Sequence, residues 1–97
     1  MIEYTDNAKK MLLEKINFSN QRKNVRIYLD GIGWAGPTFN ITLDEVKEND
    51  LTVNVKGINF IVDKSLKETF KSFKIDYIND WKGQRFVVNT KLSKSRC

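Results

Sequence analysis

The stretch "VRIYLDGIGWAGPTFNITLD", Val25 to Asp44, holds two runs of alternating apolar and polar residues on either side of a turn. In the first, Val25, Ile27 and Leu29 alternate with Arg26, Tyr28 and Asp30; in the second, Phe39, Ile41 and Leu43 alternate with Asn40, Thr42 and Asp44. A period of two places one set on a buried face and the other in solvent, as in a half-buried β-strand. Between the runs lie three glycines, a proline and a tryptophan. The two runs are therefore expected to pair as neighbouring antiparallel strands. Gly31, Gly33 and Gly36 read as positions of positive φ or close backbone approach, and Pro37 as a fixed bend after the turn.

Upstream, "TDNAKKMLLEKI" repeats apolar residues at spacings of three and four. Ala8, Met11, Leu12 and Ile16 fall on one face of a helix that Thr5 or Asp6 can cap. "NFSNQRKN" has no period and reads as an exposed connection. Downstream, after the acidic connection "EVKENDL", Leu51, Val53 and Val55 alternate up to Gly57. Ile58, Phe60, Ile61 and Val62 then leave little polar face, which predicts a more fully buried strand. Asp63 to Phe73 carries a second helix signal, with Ser65 three residues before Glu68 as in a capping box and Leu66 and Phe70 sharing a face. "KIDYI" and "QRFVVN" are the last strands, separated by "NDWKG". The basic end, from about residue 90 to 97, reads as a flexible tail.

These elements add up to a mostly β, α+β fold: strands wrapped into a sandwich or flattened barrel, an N-terminal amphipathic helix and a second short one. At 97 residues, residues 1–97 are expected to form a single domain. No apolar run approaches the roughly 20 residues needed to cross a bilayer, and no secretory signal opens the chain. A single cysteine cannot close an internal disulfide, so the expected compartment is the cytoplasm.

The net charge of +5 comes from lysines scattered through every segment, which describes a solvated surface. Phe39, Phe60, Phe70 and Phe86 lie in phase with the core. Tyr28, Trp34 and Trp81 are left over, too few and too dispersed to stack single-stranded nucleic acid. Neither nucleic acid nor membrane is expected as a partner. The absence of histidine removes His-based catalysis and mixed Cys/His zinc sites. Asp30, Asp44 and Asp63 stand at strand ends, where Asp commonly caps or turns the chain. The glycine turn lacks the Lys-[Ser/Thr] of a phosphate loop and opens no helix. An enzyme is not expected.

In their order, these elements resemble the HesB-like family, the A-type carriers and scaffolds of iron–sulfur cluster assembly. The likeness covers nearly the whole chain. It comprises a Thr-led helix at Thr5 to Ile16 and a Gly-x-Gly-Cys-x-Gly turn, here Gly31-Ile32-Gly33-Trp34-Ala35-Gly36. It continues through Asp44, Gly57-Ile58, Val62-Asp63 and Ile75-Asp76-Tyr77. At the end stand a Phe-led strand at Phe86, a turn without its proline at Asn89-Thr90-Lys91, and Cys97 in place of the first cysteine of a Cys-Gly-Cys tail.

The resemblance implies three thiolates that converge near a subunit boundary on iron or an iron–sulfur cluster, and hence a homo-oligomer and protein partners in cluster biogenesis. Only Cys97 remains as a metal ligand. Trp34 stands at an altered ligand position, because an indole offers an N–H donor and an apolar face but no electron pair for iron. Two accounts of Trp34 stay open: a ring that packs over the turn or into a neighbouring subunit, or a recoded position. The second arises because HesB-like relatives include selenocysteine-containing members, whose UGA codon can be misread as tryptophan. The function expected is a cluster-assembly carrier or accessory with weak or absent cluster binding and no certain cofactor. The alternative is a non-metal interaction module that uses the Trp34 turn as its contact surface.

Overall fold

The structure is a computed structural model that describes residues 1–20 and 23–92. Its chain order is β1 (Ile2–Tyr4), α1 (Asp6–Phe18), β2 (Asn24–Gly33), β3 (Gly36–Asp44), β4 (Asp50–Val55), β5 (Ile58–Asp63), α2 (Lys64–Thr69), β6 (Phe70–Asp80) and β7 (Gly83–Leu92). The strands form one seven-stranded sheet in the order β1-β6-β7-β3-β2-β5-β4. It is curled nearly into a barrel, as the mostly β reading anticipated.

The expected hairpin is present: β2 and β3 pair antiparallel with Val25 opposite Leu43 and Ile27 opposite Ile41. Val25 and Ile27 are fully buried, and Phe39 and Ile41 nearly so. Leu29 leaves this pattern and is 41% exposed, because the ladder shifts between Leu29 and Gly31 and the hairpin runs on past the core. On its other side β2 pairs in parallel with β5. That central position explains why Ile58, Phe60, Ile61 and Val62 are all buried.

Helix α1 is capped by Thr5, whose Oγ1 accepts from the Ala8 N–H at 3.1 Å and donates to Asp76 Oδ1 at 2.7 Å. One hydroxyl thus starts the helix and ties it to β6. Ala8 and Leu12 are buried, while Met11 and Ile16 are half-buried beside them.

Three expectations are corrected. Helix α2 ends at Thr69, and Phe70 takes extended angles (φ −115°, ψ 124°) as the first residue of β6. Phe70 reaches the core from the sheet, edge-on to Phe39 at 4.8 Å, and does not share a helical face with Leu66. The cap of α2 is Asp63, which accepts from the Ser65 N–H at 2.8 Å, so Ser65 does not head a capping box. Finally, the segment expected as tail from about residue 90 is strand as far as Leu92, with Thr90 opposite Phe73 and Leu92 opposite Phe70. Residues 93–97 lie outside the described residues.

Candidate functional site

The glycine turn closes the β2–β3 hairpin, with Gly33 opposite Gly36 and Trp34 and Ala35 between them. A two-residue hairpin link needs left-handed backbone somewhere. Neither Trp34 nor Ala35 supplies it, whereas Gly36 does, at φ +109°. Gly31 also has positive φ, at +158°, with Thr38 Oγ1 at an ordinary 3.7 Å, whereas Gly33 shows neither positive φ nor a close neighbour. The reading of the three glycines as positions of positive φ or close approach therefore holds for Gly31 and Gly36 and fails for Gly33. Pro37 continues the strand opposite Ile32 and makes no bend. The Thr38 hydroxyl donates to the Gly31 carbonyl at 3.1 Å and pins the neck of the loop.

Trp34 is fully exposed, at 106% of its reference surface, and Ile32 beside it is 79% exposed. The expectation that the ring packs over its own turn is thus overturned. With Leu29, these residues make an apolar hairpin tip displayed to solvent. Below it the hairpin is anchored by Phe39, edge-on to Phe70 and to Phe73, whose ring centre is 5.4 Å away.

The sheet order brings the C-terminal end of β7 toward this tip. β3 and β7 are antiparallel with Phe39 opposite Val88, so the C-terminal end of β7 lies at the glycine-turn end of β3. Cys97, the expected metal ligand, lies outside the described residues. Among the described residues no three His, Cys, Asp or Glu side chains gather as a metal site. The chain has one cysteine in all, so it cannot supply by itself the thiolates that iron in a cluster requires. The residues at the turn do not fit a cluster.

Trp81, the other exposed tryptophan, stands at the opposite end, on the turn between β6 and β7, with Lys82 Nζ 5.3 Å from its ring centre. The two indoles cannot form one stacking surface. A groove of about 490 Å³ lined by Met11, Phe18, Leu43, Tyr77 and Phe86 also lies away from Trp34.

Sequence reading missed a densely bonded polar cluster at the open end of the same hairpin. Arg26 Nε donates to Asp44 Oδ2 at 2.7 Å, and its Nη1 and Nη2 grip Asp50 in a fork at 2.8 and 2.5 Å. The Arg26 and Asp50 side chains are 13% and 3% exposed. Asp50 also accepts from the Lys47 N–H at 2.6 Å. Bonds from the Glu45 N–H and then Arg26 lower the Asp44 pKa to about 2. Arg26 likewise holds Asp50 below the usual carboxylate range, and the two carboxylates raise Arg26. With Lys47 Nζ 3.3 Å from Asp44 Oδ2, two cations face the two carboxylates, and the cluster fixes structure.

The fold is a nearly closed seven-stranded sheet that carries the glycine turn at one end of the β2–β3 hairpin. The chain is 34% identical to the iron–sulfur cluster insertion protein ErpA of Buchnera aphidicola subsp. Cinara cedri, over 99% of this chain and 88% of that protein. It is 30% identical to ErpA of Escherichia coli, over 99% of this chain and 86% of that one. The chain therefore belongs to the HesB-like family of A-type iron–sulfur carriers. The same fold is seen in Escherichia coli SufA, involved in biosynthesis of iron–sulfur clusters (TM-score 0.76, 18% identity, 99% of this chain and 85% of that one). It is seen again in IscA with a [2Fe-2S] cluster (TM-score 0.74, 23% identity, 93% and 85%). No family model matches the chain.

Proposed function

We propose that this chain works in iron–sulfur cluster assembly as a carrier or accessory protein whose own hold on a cluster is weak or absent. Membership in a family whose relatives insert clusters supports the process. One observation carries the qualification: an indole is displayed where the family's turn carries its first thiolate. One thiol per chain leaves any cluster dependent on a second copy or an outside thiol. The protein acts without catalytic chemistry of its own, in the cytoplasm, through contacts with other cluster-assembly proteins and with copies of itself. No helix among the described residues is long and apolar enough to cross a membrane.

Anaerobic reconstitution with iron and sulfide tests this reading. The wild-type chain should stay colourless or take up little cluster, and whatever forms should vanish in Cys97→Ser. Trp34→Cys should increase the charge-transfer absorption over wild type. A brown wild-type protein that keeps sulfide-bound iron through gel filtration would overturn the qualification. A second reading, a non-metal interaction module, is favoured by the exposure of Leu29, Ile32 and Trp34 at one tip. It requires that Trp34→Ala abolish a protein contact that Cys97→Ser leaves intact.

A further inference from the structure

The sheet ends in two edges, β1 and β4, and these edges lie near each other. No ladder joins them. Among the described residues the hydrogen bond that crosses the seam runs from Tyr4 Oη to the Val55 carbonyl at 2.8 Å. The Tyr4 ring rests against Phe60 with centroids 5.8 Å apart, so the hydroxyl reaches across from a body seated on the core. Burial raises the Tyr4 pKa above its ordinary value, and the phenol keeps the proton it donates. A cavity of about 350 Å³ lined by Met1, Ile2, Glu3, Tyr4, Val55 and Lys56 opens at this seam, which is bridged and not packed shut.

Strand β1 is three residues long and lies parallel to β6, with Ile2 opposite Phe73 and Tyr4 opposite Ile75. Of its side chains only Ile2 is fully buried. The Phe73 N–H donates to the Met1 carbonyl at 2.9 Å, and the N-terminal ammonium donates to the Lys71 carbonyl at 2.9 Å. Just beyond β1, Thr5 is held by four bonds, with the Ala8 and Lys9 N–H groups, Asp76 and the Ile75 carbonyl. A short strand with one buried side chain, next to a firmly held residue, is a segment that can open locally before the rest unfolds.

We infer that Tyr4 is the latch of an openable seam: its bond to Val55 keeps β1 against β4, and its release lets β1 lift from β6 about Thr5 while the β2–β3–β5 region stays folded. Lifting β1 bares the edge of β6 and frees the Val55 carbonyl on the edge of β4.

Amide hydrogen exchange on the full chain tests the latch. In Tyr4→Phe the Phe73 N–H, which loses its acceptor when β1 lifts, should exchange about fivefold or more faster, as loss of one hydrogen bond implies, while the Val25 and Ile27 amides keep their rates. An unchanged Phe73 rate overturns the inference. Equal acceleration everywhere does too, since the hydroxyl would then serve global stability alone. Tyr77→Phe, which removes a hydroxyl bonded at 3.3 Å to Gln84 away from the seam, should leave Phe73 unchanged; acceleration there would count against a specific latch. In the wild type, Phe73 exchange should depend less steeply on denaturant than that of Val25, because a local opening exposes little surface. Matching slopes would overturn the inference without any variant.

Discussion

The two ends of the β2–β3 hairpin are built by opposite rules. At the open end Arg26, Asp44 and Asp50 satisfy one another through short, forked bonds under partial burial. At the closed end Leu29, Ile32 and Trp34 touch little and face water. Residues at the first end carry stability, and those at the second are free to be chosen for contact. A hairpin built this way can change the residues of its tip without losing its fold, which is how an exposed tryptophan can stand in its turn.

The largest test of that division is Arg26→Ala, which strands the buried Asp50 carboxylate and should cost about 3 kcal/mol in urea unfolding. A loss as small as that of an ordinary surface residue would erase the contrast. Acid titration comes next. The folded-state pKa of Asp44 is depressed to about 2 and that of Asp50 is lowered. Their contribution is thus complete above the unfolded carboxylate range and disappears as pH falls toward 2. The denaturation midpoint should drop steeply over that interval in the wild type and more shallowly in Arg26→Ala.

Smaller effects map the tip. Gly36→Ala forces a side chain into φ +109° and should destabilise by about 1 kcal/mol or more, whereas Gly33→Ala, with no strain and open space, should lie within about 0.5 kcal/mol of wild type. Trp34→Ala should be smallest of all, leaving the thermal midpoint unchanged. A clear loss there would mean that the ring is held by something, a second copy being the first to test through concentration dependence.

What sequence could reveal followed the same division. Period-two alternation exposed β2, β3 and β4, a nearly continuous apolar run exposed β5, and spacings of three and four exposed α1, because each signal is local. Strand β1 passed unnoticed because three residues are too few to show a period. Phe70 was misplaced because a spacing of four from Leu66 suits a helix, and nothing nearby announces that β6 pairing begins there. The Arg26–Asp50 grip joins residues 24 apart and was invisible, although an arginine facing Asp-rich strand ends was its one available hint. At the turn, the identity of Trp34 was plain from the sequence, but its complete exposure was not, since an indole among glycines can equally fold back. Gly31 and Gly36 declare their need through backbone angles, and those belong to the structure.

The parallel seat of β1 on β6 also bears on how the molecule is made. The terminal ammonium finds its acceptor 70 residues down the chain, and Thr5 finds Asp76. Contacts so remote in order cannot form until most of the polypeptide has been synthesised. Strand β1 and the docking of α1 thus wait on β6, so elements early in the order are among the last to take their places.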